Sequence, residues 1–279
     1  MVKELSIGYS PCPNDTFIFY ALVHGLIPLH EFSLASPFLD DVETLNQWAL
    51  KAKLDVTKLS FQALGHVLDK YVMLSSGAAL GRGCGPLLVT RPDVSLDMER
   101  ATIAIPGSYT TAAMLLKLYA PMTEKFHVMR FEEIIPAIAE GKVDAGVIIH
   151  ESRFTYQNLG LKAVEDLGEW WEDLTGLPIP LGCIAAKRSL GEDIITELDH
   201  AIHASLIWIR KHPAKCTDYI RTHAQEMEDA VLQNHIDLYV NDFSLHIGEE
   251  GKDAVRELLR RGGEAGIFPA IEMSTVFAT

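Results

Sequence analysis

No stretch of this chain stays apolar for the roughly 18 to 20 residues that a membrane span requires. The opening "MVKELSIGYSPCPND" has one Lys before a strand-like pattern and lacks the apolar run of about 7 to 15 residues that drives export. It reads as a mature cytoplasmic amino terminus. Cysteine is scarce: Cys12, Cys84, Cys183 and Cys216 lie far apart, with no CxxC pair and no metal-ligand spacing to a His. That excludes a disulfide framework and leaves free buried thiols in a reducing compartment. Positive charge is short too, 24 Lys and Arg against 38 Asp and Glu for a net −14, and no basic patch breaks the deficit. Nucleic acid and anionic membrane are therefore poor partners. An anionic ligand must be held by a local Arg or by N–H groups at helix starts. No cofactor motif is present either; "GRGCG" precedes a strand and lacks the GK[ST] of a phosphate loop, so it reads as a hinge.

What the chain does have is enough apolar residue to build a core: 48% of 279 positions, with a mean hydropathy of +0.12. That length fits one large domain or two of medium size.

Strand and helix patterns alternate. "LSIGYS" reads as a strand, "SPCPND" as a turn, and Asp15 opens a helix that stops at Gly25. "DVETLNQWALKAKL" reads as a second helix, capped by Asp40 or Asp41, followed by the strand "DVTKLS". From Ala101 the order recurs: strand "TIAIPG", helix "SYTTAAMLLKLYA", strand "FHVMR", helix "FEEIIPAIAEGKV", strand "DAGVIIH". "KLDVTKLS" and "KVDAGVII" rhyme, each following a helix and each starting its strand with Asp. The pattern predicts an α/β fold of two lobes, each a mostly parallel sheet flanked by helices. Two Gly/Pro-flanked apolar segments, "GRGCGPLLVTRPD" and "GLPIPLGCIAAKR", read as crossovers, with hinges at 85–90 and 180–184. Lobe one is expected at 1–89 plus 184–279, its last third helical and packed on that lobe, and lobe two at 90–183.

Ligands of parallel sheets sit beyond the carboxyl ends of the strands. Four stretches meet that condition: 10–16, 60–62, 107–111 and 150–153. In "SPCPNDT", Asn14 and Thr16 are ligand contacts or simply parts of a capped turn. In "PGSYTT", Gly107, Ser108, Thr110 and Thr111 form an anion-binding turn or a plain helix cap. Ser60 closes the repeated strand. His150, where "VIIHESRFTY" turns from β-branched to polar, has the ordinary pKa of a general base at neutral pH. The alternative is a histidine bonded within an interface. Glu151 would face the other way along a continuing strand, and the remaining helical histidines, His235 among them, read as surface or packing residues.

The blocks "SPCPNDTFIFYALVHG", "DVETLNQWAL", "TKLSF", "GRGCGPLLV", "IIHESRFTYQNLGL", "DLGEWWEDLTGLPIPLG" and "YVNDFSLHIGEEG" run in order over nearly the whole chain. They resemble the 1,4-dihydroxy-6-naphthoate synthases of the futalosine route to menaquinone. That resemblance implies a type II periplasmic-binding-protein-like fold used as an enzyme. The implied reaction cleaves cyclic dehypoxanthinyl futalosine to the dihydroxynaphthoate and dihydroxyacetone, with no cofactor or metal. It also implies that the His of "HESR", here His150, is the base. Hydroxyls and amides at Asn14, Thr16, Ser60, Gly107, Ser108, Thr110 and Thr111 suit the polyol, and Arg153 or Arg82 would pair with the substrate carboxylate. Two neighbouring classes share the architecture, the sibling chorismate dehydratase and a non-catalytic solute-binding protein. A hydrolase using Cys12 is weakened by the prolines on either side of it.

Overall fold

The structure, a computed structural model, describes residues 3–150, 152–224 and 228–278. The first part of the chain supplies strands β1 (Lys3–Leu5), β2 (Ile7–Tyr9), β3 (Phe32–Leu34), β4 (Phe38–Leu39), β5 (Val56–Ser60), β6 (Tyr71–Met73) and β7 (Ala79–Gly81). Among them lie helices α1 (Pro13–Val23), α2 (Val42–Leu50) and α3 (Phe61–Val67). The chain then builds β8 (Leu87–Thr90), β9 (Ile103–Ile105), β10 (Phe126–Val128), β11 (Ala145–Ile148) and β12 (Lys162–Asp166), with α4 (Thr111–Tyr119), α5 (Phe131–Ala139), α6 (Ser152–Thr155) and α7 (Leu167–Thr175). It returns through β13 (Ile179–Lys187) and ends in α8 (Glu192–Lys211), α9 (Thr217–His223), α10 (Asp229–Tyr239), α11 (Asp242–Leu245) and α12 (Gly248–Glu264).

Two sheets organise these elements. One runs β4-β2-β5-β13-β6, with β7 also on β13, and the other runs β10-β9-β11-β8-β12. Within each βαβ half the strands are parallel: β4, β2 and β5 in one, β10, β9 and β11 in the other. β8 and β13 are antiparallel to their neighbours, because each carries the chain from one lobe into the other. β13 is laddered to β5 from Ala186↔Val56 to Gly182↔Ser60. A hinge expected at 180–184 therefore falls inside a hydrogen-bonded strand, and the free connections are residues 82–86 and 176–178. In the first of them Gly85 touches the backbone of Gly168 at the start of α7: a Cβ on Gly85 would lie 2.3 Å from the Gly168 Cα and N.

Local chemistry explains the helices that flank the site. Asp41 caps α2 by accepting from Glu43 N and Thr44 N. Thr110 caps α4 by accepting from Ala113 N. α1 starts differently from expectation: Cys12 is its N-cap, without a side-chain bond, and Asp15 sits in the first turn with its carboxylate turned back to Ser10. The carboxyl-terminal helices lie on the first lobe, where Ile195, Leu198, Ile202, Leu206 and Ile209 of α8 share a core with Ile7, Phe19 and Leu22. No helix of the described residues is long and apolar enough to cross a membrane.

Candidate active site

β2, β5, β9 and β11 end at the junction of the two lobes, and a cavity lies among their exits. It offers about 90 Å³ to water-sized molecules, less than the roughly 300 Å³ or more of a typical ligand pocket. The lobes are drawn together around it. Lobe one contributes Ser10, Asn14, Asp15, Lys58 and Ser60, and lobe two contributes Thr110, Thr111, Ala112 and His150. Cys84, Leu181, His235 and Tyr239 complete the walls.

His150 lies two residues beyond the last residue of β11, Ile148, with φ +58, the left-handed region that non-glycine residues seldom adopt. Its ring meets Phe131 edge to face at 5.1 Å and lies nearly parallel to His235 at 6.0 Å, with 15° between the planes. Glu151 lies outside the described residues.

His235 is the main departure from the sequence reading. Instead of a surface or packing residue it is fully buried in the cavity wall, at the i and i+4 spacing from Tyr239 on α10. A polar chain fixes it. Lys58 Nζ donates to Asp15 Oδ1 at 2.6 Å, Asn14 Nδ2 donates to the same oxygen at 2.9 Å, and Asn14 Oδ1 faces His235 Nε2 at 2.9 Å. Asp15 can only accept, so the Asn14 amide points its N–H toward Asp15 and its oxygen toward His235. His235 Nε2 is thus the protonated nitrogen. Burial, then the neighbouring His150 and Lys58, hold the His235 pKa well below the ordinary imidazole value. The ring is neutral at pH 7, with Nδ1 carrying the lone pair.

Lys58, also unremarked in the sequence, is 4% exposed in the middle of β5. Its charge is tolerated there because Asp15 pairs with it and the Gly77 carbonyl accepts from it at 3.3 Å. Cys84 lies in the wall as well, with burial pushing its thiol up to about 12.

The other expected residues divide. Ser60 is held by Asn46, whose Oδ1 accepts from Ser60 N at 2.9 Å and whose Nδ2 lies 3.1 Å from Ser60 Oγ. Thr111 Oγ1 accepts from Phe61 N and donates to the Leu181 carbonyl. Thr16 does not line the cavity, and its hydroxyl donates to the carbonyls of Cys12 and Pro13 at the start of its own helix. The turn after Gly107 does form a cradle of N–H groups, those of Ser108 and Tyr109, but a protein carboxylate fills it: Glu43 accepts from both, each at 3.1 Å. Arg153 is committed to Asp166 and to the Gly85 carbonyl, both at 2.5 Å, bracing the base of α7. Arg82 pairs with Glu250 and Glu172 outside the cavity. Neither guanidinium lines the cavity. Among the described residues no group of three or more His, Cys, Asp or Glu is arranged to hold a metal ion.

Residues 5–264 match the family model described as menaquinone biosynthesis. A Thermus thermophilus protein named 1,4-dihydroxy-6-naphthoate synthase is 51% identical over 270 residues, covering 95% of this chain and 96% of that protein. One of the same name from Streptomyces coelicolor is 47% identical over 276 residues, covering 96% and 95%. Among solved structures, a protein from Archaeoglobus fulgidus superposes with a TM-score of 0.89 at 34% identity, covering 95% of this chain and 98% of its own. A Candida albicans protein described as having the generic periplasmic binding protein fold gives 0.69 at 15% identity, covering 98% and 93%, which speaks to fold alone.

Proposed function

Because the chain belongs to the menaquinone-biosynthesis family and its curated relatives are 1,4-dihydroxy-6-naphthoate synthases, we propose that this lyase converts cyclic dehypoxanthinyl futalosine to 1,4-dihydroxy-6-naphthoate and dihydroxyacetone in the cytoplasm, with His150 as the general base. The observation that carries this reading is the histidine at the exit of β11, on the wall of a cavity shared by both lobes.

The imidazole of His150 takes a proton from a hydroxyl-bearing carbon of the three-carbon unit next to its carbonyl and returns it to the neighbouring carbon, so that the carbonyl moves beside the scissile bond. A retro-aldol step then breaks that C–C bond: its electrons pass into the carbonyl as an enediolate, which takes up a proton and becomes dihydroxyacetone, while the carbinol left on the ring gives up its O–H proton, becomes a carbonyl and tautomerises to the aromatic diol. Every proton removed is returned, so the protein ends as it began. Aromatisation drives the cleavage. Ser60 Oγ accepts from Asn46 and would give its own proton to the developing enediolate; Thr110 and Thr111, whose protons go to the Gly107 and Leu181 carbonyls, would accept from the substrate hydroxyls, and Asn14 would act through His235.

The decisive experiment incubates the purified protein with cyclic dehypoxanthinyl futalosine and follows naphthoate absorbance and released dihydroxyacetone. Equal amounts of both are expected. Substrate left intact by folded protein would overturn the assignment.

A further inference from the structure

Glu43 lies in the first turn of α2, yet that helix start does not need it, since Asp41 already accepts from its leading N–H groups. Its side chain instead crosses from lobe one to the turn at 107–109 in lobe two. Oε1 accepts from Ser108 N and Oε2 from Tyr109 N, while Gln47 Nε2 and Asn46 Nδ2 approach the same oxygens at 3.4 Å. The carboxylate is only 8% exposed. The four groups that bond it are N–H donors, which favour the carboxylate, while burial pushes its pKa up. The seat also demands glycine: Gly107 has φ +151, and a Cβ there would stand 2.3 Å from Glu43 Oε2.

Further bonds bridge the same seam. Asn46 Nδ2 donates to the Tyr109 carbonyl, Gln62 Nε2 to the Ser108 carbonyl, and Phe61 N to Thr111 Oγ1. Together they hold the cavity to about 90 Å³ of space for water-sized molecules, well below an ordinary ligand site. Parting of the seam would enlarge it.

We infer that Glu43 is a positioning residue, a carboxylate latch that seats in the N–H cradle of the opposite lobe and so brings Thr110 and Thr111 against Ser60. The protein supplies its own anion to that cradle, which keeps it from capturing a substrate carboxylate there. The latch does not depend on which reaction the cavity performs.

Hydrogen exchange and small-angle scattering on ligand-free protein test it directly. In the wild type the Ser108 and Tyr109 amides are protected. In Glu43→Ala their protection falls by roughly tenfold or more, the worth of charge-assisted bonds, and the radius of gyration rises, while β9 and β11 amides stay protected. Gly107→Ala disturbs the same seat from the other lobe, and the double variant opens no further than either single one. Should Glu43→Ala fail to fold, Glu43→Gln, which keeps one acceptor, gives a smaller loss at the same two amides. With substrate, KM rises more than kcat falls, because binding must then supply the closure. Unprotected Ser108 and Tyr109 amides in the wild type would overturn the latch. So would unchanged protection in the folded variants, or additive opening in the double variant.

Discussion

The rings of His150 and His235 lie almost parallel, 6.0 Å between centroids, one at the end of a lobe-two strand and the other on a helix of the carboxyl-terminal third. One is half-buried and open to the cavity, and the other is sealed and held as the Nε2–H tautomer by Asn14. Two imidazoles so close cannot both be charged cheaply, and Lys58 adds to that cost for His235.

His150→Asn should fold, because Asn is one of the residues that tolerates the left-handed backbone found there. It cannot accept a proton at neutral pH. Turnover should fall by about 10² to 10⁴ with substrate still bound. Near wild-type kcat in the folded variant would remove His150 from the role of base.

His235 makes stability depend on pH with a definite sign. Its pKa is depressed in the folded protein, so between that value and the ordinary one near 6.5 the unfolded chain binds more protons. Its contribution is intact above about pH 7 and is lost as acidification passes the ordinary imidazole value and continues toward the depressed one. His235→Gln keeps a donor for Asn14 and should flatten the fall of Tm over that range. Superimposable Tm curves for variant and wild type would refute the linkage. His66 and His223, also depressed by burial, add to the slope with the same sign.

Lys58→Met strands the Asp15 carboxylate, which is 2% exposed, without its cation. Removing one member of a buried pair costs about 3 to 5 kcal/mol; the bonds from Ser10 and Asn14 place this case toward the lower end. Adding Asp15→Asn should recover part of the loss in denaturant titrations. A double variant as unstable as the sum of the singles would show the two residues to be uncoupled.

The contact of Gly85 with Gly168 leaves no room for a methyl group and involves backbone that cannot swing aside. Gly85→Ala should therefore cost about 2 kcal/mol or more. Gly263→Ala is the natural control: it lies within α12 with nothing inside 4 Å of the new Cβ. It should raise stability by up to about 1 kcal/mol. Thermal melts that move both variants the same way would contradict the packing argument.

What could be read from the sequence was local. The run Val147 to Ile149 before a polar break marks a strand exit whatever lies opposite, and Asp41 caps its own helix. Bonds to distant partners were out of reach. Whether Arg153 meets a substrate or Asp166 depends on how α6 folds back toward α7, and the polar end of Glu43 finds its donors 65 positions away. His235 and Lys58 did leave a trace. His235 is the polar member of a stripe formed with Leu232, Ile236 and Tyr239. Lys58 is a charge in the middle of a strand that is buried throughout. Each places an ionisable group where every other member of its stripe or strand is buried and uncharged, and such a residue must have a partner.

The position of β13 also bears on how the protein is made. It lies between β5 and β6, so the sheet of the first lobe stays in two pieces until residue 187 has left the ribosome. The strands of the second lobe are contiguous from Leu87 to Asp166 and need no later strand to complete their ladder. During synthesis that ladder can pair first, while the earlier-made strands wait for β13 and the shared core around Met114 and Leu115 waits for Trp171 and α12.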